Sequence, residues 1–158
     1  MISQSTAFPP IKQLVPHRAP MLYLNKMVDA GKSFAHCQAR PNTDHHFFDT
    51  KQQGLPSWVG IELMAQTIAA WSGFHYYQKG QSPVIGFLVG SRRYQTVTAF
   101  FARNQVLDIH VDEVMSHEGV SVFSCKIESN GALLASSQLS TFEPSNAELT
   151  HIKQGGAS

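Results

Sequence analysis

The chain has 158 residues, a formal net charge of +1 and an ordinary apolar content of 42%. This length suits one domain with a substantial core. The near-neutral charge provides no basic field for nucleic acid or for an anionic membrane. No apolar run reaches the roughly 18 residues of a membrane span, and the N-terminus lacks the basic and apolar regions of a signal peptide. We expect a cytoplasmic protein without nucleic-acid or membrane partners.

The first third of the chain predicts a turn, a hairpin and a loop. A short helical turn over residues 11–15 ends at Pro16. Residues 21–28 and 33–40 predict two strands joined by a turn. Residues 41–56 form a polar loop, which is long enough to suggest a functional role.

The segment 57–79 predicts one long helix, with Ser57 as its N-cap and Gly80 as its terminator. Small side chains recur on one face every four residues, and we expect this stripe to let the helix lie close against a sheet. The stripe consists of Ala65, Ala69 and Gly73.

Two polar residues interrupt this helix near its start. Glu62 and Gln66 lie one turn apart beside the small-residue stripe. A carboxylate among apolar residues costs free energy if it is buried without a partner, so such a group often marks a functional site. The alternative for Glu62 is a partly solvated carboxylate that pairs with a lysine or an arginine.

The residues after the helix predict strands, because their apolar side chains alternate with polar ones. The Asn130-Gly131 pair is a strong hairpin signal between the last two strands. The pattern predicts an α+β domain over residues 1–143, with an antiparallel curved sheet wrapped around one long central helix. Open sheet edges favour a dimer. Residues 144–158 read as a flexible C-terminal tail. The four predicted strands are 84–93, 106–115, 120–129 and 132–142.

Three segments resemble the 3-hydroxyacyl-acyl-carrier-protein dehydratases, which have the hotdog fold. Residues 15–24 read V-P-H-R-A-P-M-L-Y-L, like the family's L-P-H-R-x-P-x-L-L-V. Phe47-Phe48 and the segment 55–66, L-P-S-W-V-G-I-E-L-M-A-Q, resemble the family's F-F and x-P-G-x-x-x-x-E-A-M-A-Q. Residues 86–94 resemble the strand that follows. The helix start is most similar to a divergent, dehydratase-like branch associated with aryl polyene synthesis, whose members sit beside a conventional dehydratase.

The resemblance implies that water is removed from a 3-hydroxyacyl chain held on phosphopantetheine of an acyl carrier protein, giving a trans-2-enoyl thioester without a further cofactor. Removal of the C2 proton suits a histidine, and a carboxylic acid can protonate the departing C3 hydroxyl. Glu62 corresponds to the family's acid. The family's histidine follows the F-F pair, but no histidine lies between Phe48 and Glu62 here.

Three histidines could supply the missing base. His17 lies between two prolines ahead of an apolar strand, and its alternative role is structural. His45 and His46 lie on the loop that carries the family's histidine, although adjacent loop histidines are usually solvated. The His-His pair lacks the three or four ligands that zinc needs, so no metal site is predicted. Cys37 and Cys125 are expected to be buried free thiols.

The resemblance also implies binding roles. Arg18, Arg92 and Arg93 are candidates for contact with an acidic carrier protein and its phosphate, and four apolar side chains could border an acyl tunnel. The expected substrate contacts include a free backbone N–H at Ser57. The substrate-binding candidates are Ser57, Gln66, Trp58, Phe48 and Gly90, and the tunnel candidates are Phe87, Val89, Phe100 and Phe101.

Three functions fit the sequence. The favoured one is a working dehydratase, with Glu62 as acid and a relocated histidine as base. The second is a weakly active or non-catalytic partner subunit, because hotdog sites form at dimer interfaces and this chain could pair with a second dehydratase-like subunit or with itself. The third is an acyl thioesterase on the same fold, in which a helix carboxylate activates water.

Overall fold

The computed structural model describes residues 7–82 and 86–144 of the chain. Within these residues, a short 3-10 turn over Ile11–Gln13 precedes one long helix and eight strands. The elements are β1 (Lys26–Ala30), β2 (Phe34–Ala39), β3 (Gly54–Pro56), α1 (Val59–Gln78), β4 (Phe87–Thr96), β5 (Phe100–Ala102), β6 (Leu107–His117), β7 (Val120–Ser129) and β8 (Ala132–Phe142). The helix packs on a six-stranded antiparallel sheet with the strand order β1-β2-β6-β7-β8-β4, and β3 pairs with β5 in a separate two-stranded sheet.

This architecture confirms the predicted α+β class, the hairpin of β1 and β2, and the last three predicted strands. The small sheet of β3 and β5 was not predicted, because strands of three residues are too short to show a period of two. The first predicted strand begins five residues late, at Lys26, because the Tyr23 N–H donates to the Gln66 side chain rather than to a neighbouring strand. Residues 145–158 of the predicted tail lie outside the described residues. Residues 84 and 85, which begin the predicted strand 84–93, also lie outside them.

The core lies between α1 and the inner face of the sheet. Leu63 and Met64 of the helix are fully buried against strand residues such as Ile109 and Phe123. Both cysteines are buried and free, as predicted. Burial raises the pKa of the Cys37 thiol to about 12, which keeps the thiol protonated at neutral pH.

The C-terminal end of α1 was predicted correctly, whereas the N-terminal end was not. The helix begins at Val59 with Trp58 at the cap position and has no side-chain cap, so Ser57 as the N-cap is wrong. The Ser57 carbonyl instead accepts hydrogen bonds from the Gly60 N–H and from the Tyr94 hydroxyl of β4. The C-terminal end matches the prediction, since Gly80 adopts a φ of 68° just past the last helical turn.

The small-residue stripe does not face the sheet along its whole length. A Cβ added at Gly73 would collide with the carbonyl oxygen of Leu14, in the segment that follows the 3-10 turn. Ala65 and Ala69 line a cavity beside that segment. The expectation of sheet contact is therefore wrong at Gly73, because the N-terminal segment crosses the helix there. Gly60 is the helix glycine that abuts the sheet, at Tyr94 and Ile127.

We expect Gly73→Ala to lower the free energy of unfolding by about 2–3 kcal/mol, because the obstructing atom belongs to the backbone and cannot swing away. Gly90→Ala is the matched control, since a Cβ there meets nothing within 4 Å. Urea denaturation of the two variants and the parent measures the difference. Equal stability of the two variants would show that the N-terminal segment does not rest on Gly73.

The outer face of the sheet carries a polar cluster across β2, β6 and β7. The His36 and His110 rings stack with centroids 4.1 Å apart, and His36 Nε2 lies 2.7 Å from Asp108 Oδ1. Burial, together with the charge of His36, lowers the pKa of His110. Burial raises the pKa of Asp108, but hydrogen bonds from Gln38 and His36 outweigh it and lower the pKa overall.

These shifts predict that the fold loses stability as the pH falls. Because the unfolded chain binds a proton at His110 more readily than the folded one, stability declines as the pH drops below about 6.5. The contribution of Asp108 is lost only below about pH 4. Thermal melts between pH 7 and 5 should therefore show a shallower slope for His110→Gln than for the parent. His117→Gln, at an exposed hairpin tip, should keep the parental slope. An unchanged slope for His110→Gln would contradict the assignment.

Candidate active site

A cavity of about 480 Å³ runs along one side of α1. Its walls come from α1, from residues 12–18 of the N-terminal segment, from the start of β4, and from the ends of β7 and β8. Apolar side chains line the middle of the cavity. One carboxylate, Glu62, lies toward one end, and a second, Glu143, lies toward the other. The apolar lining includes Ala65, Ile68, Ala69, Trp71, Leu88, Phe123 and Phe142.

Glu62 and His17 meet in the wall of this cavity. His17 Nε2 lies 3.7 Å from Glu62 Oε1, and the two side chains are 30% and 39% exposed, respectively. Both residues belong to the same chain. The carboxylate is therefore neither isolated nor fully buried, and a substrate in the cavity can reach both groups.

Arg18 fixes the turn that presents His17. Its guanidinium donates to the carbonyl oxygens of Lys12, Val15 and His17, at 3.1, 3.0 and 2.6 Å. These contacts hold the backbone on both sides of Pro16 in one conformation. If Arg18 also contacts a carrier protein, as predicted, the same guanidinium N–H groups must serve both that contact and these backbone carbonyls.

Gln66 holds the Glu62 carboxylate in position. The side chain is fully buried, and its Nε2 donates to Glu62 Oε1 at 3.0 Å and to the Met21 carbonyl at 2.8 Å. Its Oε1 accepts the Tyr23 N–H at 3.0 Å. All of these donors and acceptors agree with a single orientation of the amide, so the carboxylate is held in one position. The supporting role of Gln66 in the site stays a prediction.

The two nitrogens of His17 have different surroundings. Nδ1 is enclosed by protein and has no hydrogen-bond partner among the described residues, whereas Nε2 faces Glu62. Nε2 is therefore the nitrogen that can exchange a proton with the carboxylate or with a substrate. It can accept a proton only in the neutral tautomer that carries hydrogen on Nδ1, and this Nδ1–H then stays buried without an acceptor among the described residues.

The two loop histidines make other contacts. His45 Nδ1 accepts the Asn42 N–H at 3.2 Å, its ring packs on Tyr23, and burial lowers its pKa. The His46 ring packs on Phe47 and is exposed, while its carbonyl accepts the Tyr23 hydroxyl at 2.9 Å. Among the three candidate bases, the structure brings His17 to Glu62, whereas the other two contact residues of their own loop and Tyr23.

The remaining predicted substrate contacts lie outside the cavity wall. The Ser57 N–H donates to the Ala99 carbonyl at 2.9 Å, so the expectation that this N–H is free is wrong. Trp58 is 54% exposed and packs edge-on against Phe47. Phe48 is half-buried against the core, and Gly90 is exposed on β4.

Of the predicted tunnel residues whose side chains the structure describes, Val89, Phe100 and Phe101 lie outside the cavity lining. Phe101 is fully buried in the core and Val89 is 64% exposed. The Phe87 side chain lies outside the part of the chain that the structure describes. Trp71, Phe123 and Phe142 supply the aromatic wall instead. Ala65, Ile68 and Trp71 are spaced three residues apart on α1 and so share one face of the helix. This spacing could have identified the apolar wall from the sequence.

Strand β4 forms one edge of the six-stranded sheet. Leu88 and Val89 on this strand are 45% and 64% exposed. Arg92 and Arg93 are exposed near a break in the register with β8, where Arg93 adopts a φ of 56°. This edge thus presents unpaired backbone groups, apolar side chains and two cations together.

An antiparallel sheet wrapped on one long helix is the hotdog fold, and in this chain an acid, Glu62, lies in the first turn of that helix. The family model of ApeP-like proteins, described as ApeP dehydratase, matches residues 9–153. The chain belongs to this ApeP-like dehydratase family.

Solved structures agree with this assignment. A chain of the dehydratase heterocomplex ApeI:P from Xenorhabdus doucetiae is 30% identical with a TM-score of 0.82, over 92% of this chain and 97% of that one. A hypothetical thioesterase with coenzyme A from Streptococcus pneumoniae TIGR4 has 13% identity and a TM-score of 0.57, over 75% and 84% of the two chains. Cj0977 from Campylobacter jejuni has 9% identity and a TM-score of 0.59, over 86% and 89%. The last two show the fold alone.

No curated protein matches the chain. Within the described residues, no helix has the length and apolar character to cross a membrane.

Proposed function

We propose that this protein removes water from 3-hydroxyacyl thioesters carried on the phosphopantetheine of an acyl carrier protein, giving trans-2-enoyl thioesters. Glu62 is the acid and His17 the base. The observation that carries the proposal is the 3.7 Å approach of these two side chains in the wall of an apolar cavity. His17 thereby replaces the histidine that the sequence lacks after Phe48.

The geometry suggests how the proton transfers balance. His17 Nε2 removes the C2 proton, and the electron pair forms the C2–C3 double bond as the hydroxyl leaves C3. Glu62 gives its proton to that hydroxyl, which departs as water. Gln66 donates to Glu62 Oε1, the oxygen that also lies nearest His17 Nε2, so Oε2 is the oxygen that gives its proton to the hydroxyl. His17 Nε2 then releases its proton and Oε2 takes one up, which restores the pair.

The position of Glu62 in the first turn of α1 adds an electrostatic contribution. The partial positive charge of a helix N-terminus stabilises negative charge on a nearby oxygen. During proton removal, the thioester carbonyl oxygen gains such charge. The reaction as proposed needs no metal or further cofactor, and the resemblance to the aryl polyene branch suggests chain synthesis of that type.

We propose that β4 pairs with the same strand of a second hotdog subunit. Support comes from its exposed edge, its exposed Leu88 and Val89, and the ApeI:P heterocomplex that the similar structure represents. Edge pairing would satisfy the unpaired backbone groups of β4. We favour a dehydratase-like partner over a second copy of this chain. Arg92 and Arg93 beside this edge are the proposed contacts for the carrier protein.

A mass-spectrometric assay tests the function. The purified protein is incubated with a 3-hydroxyacyl carrier protein, alone and with a conventional dehydratase subunit, and the pantetheine-bound chain is followed. We expect loss of one water from the chain in the presence of this protein alone. Turnover of the mixture above that of the second subunit alone, with none from this protein by itself, would make this chain a partner subunit, and release of the free acid would indicate a thioesterase.

A further inference from the structure

The far end of the cavity contains a second carboxylate, which the proposed dehydration does not use. Glu143 follows β8 and lines the cavity together with Ser72 of α1. Residues 62 to 72 of the helix span about 15 Å at the rise of an α-helix. Glu143 therefore lies about the length of a medium acyl chain away from Glu62.

Several contacts hold this carboxylate in place. The Glu143 N–H donates to the Gly119 carbonyl at 3.0 Å, which ties its backbone to the hairpin of β6 and β7. The Tyr76 hydroxyl donates to Oε1, and the Ser72 hydroxyl donates to Oε2 at 3.4 Å. The hydrogen bond to Glu143 and burial raise the pKa of Tyr76 to about 12, so Tyr76 remains a donor at neutral pH.

Glu143 retains the capacity to accept a further hydrogen bond. A carboxylate has about four acceptor positions, and these contacts use two of them. Among residues 7–82 and 86–144, no lysine or arginine forms an ion pair with Glu143. The cavity lining on either side of Ser72 and Glu143 includes the apolar Ala69, Trp71 and Phe142 together with the hydroxyl of Thr141. An anionic acceptor at the end of an apolar cavity suits a ligand whose far end is a hydrogen-bond donor.

We propose that Glu143 is a specificity-determining residue that selects acyl chains ending in a neutral hydroxyl. The inference rests on the proposed function, since it takes the cavity as the acyl site. A terminal methyl would desolvate Glu143 without replacing its bond to water, whereas a hydroxyl would donate to it. A terminal carboxylate would be repelled, because like charges at short range are unfavourable.

Binding of substrate analogues tests this proposal without turnover. Three acyl pantetheine thioesters of equal length, lacking the 3-hydroxyl and ending in methyl, hydroxyl or carboxylate, are titrated calorimetrically into the full-length protein. We expect the hydroxyl-ended chain to bind about tenfold more tightly than the methyl-ended chain, and the carboxylate-ended chain to bind most weakly. In Glu143→Gln the hydroxyl preference should fall to about twofold, and the carboxylate penalty should disappear.

Two further variants exclude a loss of fold as the cause. Tyr76→Phe keeps the Glu143 charge and frees an acceptor position, so it should keep the hydroxyl preference. Glu118→Gln, at the exposed hairpin tip, should behave as the parent. Equal binding of the three chains by the parent would overturn the role of Glu143 while leaving the proposed function intact. Failure of all three to bind would contradict the acyl site itself and the inference with it.

Discussion

Glu62→Gln is expected to lower the rate of dehydration by about a thousandfold, within the range that positioned acids and bases contribute. The amide cannot supply the proton that the departing hydroxyl needs. Its oxygen can still accept the Gln66 Nε2–H that now binds Glu62 Oε1, so the fold and the cavity should be preserved. Single-turnover mass spectrometry on a 3-hydroxyacyl carrier protein measures the rate, and thermal melting measures the fold.

Glu113→Gln is a suitable control for this variant. Glu113 lies on β6 outside the cavity, so its replacement should leave the rate within about twofold. If Glu62→Gln keeps more than about a tenth of the parental rate, Glu62 is not the acid, and the helix carboxylate has the solvated role that the sequence left open.

His17→Gln is expected to lower the dehydration rate by about a hundredfold or more, with little change in KM. The glutamine can place an amide nitrogen close to the position of Nε2, but an amide cannot accept the C2 proton at neutral pH. Because Arg18 holds the turn through three backbone carbonyls, the local structure does not depend on the imidazole. Stopped-assay kinetics across substrate concentrations separate kcat from KM.

His46→Gln provides the comparison. Its ring is exposed on Phe47, and the structure records its polar contacts through the backbone alone. We expect a rate close to that of the parent. A loss in His46→Gln as large as that in His17→Gln would mean that the loop moves to the site when substrate binds, and His17 would then not be the sole base.

Local patterns accounted for most of the fold. The helix and the last hairpin were predictable, because the period of the apolar residues and the Asn130-Gly131 turn depend on neighbours in the sequence. The failures arose where distant segments meet. The Ser57 N–H donates to the carbonyl of Ala99, next to the unpredicted strand β5, and is therefore not free. Gly73 packs against Leu14 rather than against the sheet.

The candidate site likewise combines residues that local sequence patterns identify with residues that only distant contacts bring together. Glu62 and Gln66 were identifiable because they stand one turn apart in an apolar helix. The sequence left three histidines open as the base, since which of them reaches Glu62 depends on how the N-terminal segment crosses α1. Glu143 was not singled out at all. Its position at the end of the cavity depends on three elements that are distant in sequence, and only the packed structure brings it to Ser72 and Tyr76.

The most direct test of the central claim asks whether His17 and Glu62 act within one chain. The inactive variants Glu62→Gln and His17→Gln are co-expressed, purified together and assayed for loss of water from the 3-hydroxyacyl carrier protein. A site within one chain predicts no recovery, because neither variant contains a complete pair. In dimers of two copies of this chain, a site shared between the copies would restore about a quarter of the parental turnover, since half of randomly paired dimers would be mixed and each would have one intact site. Such recovery would contradict the single-chain pair.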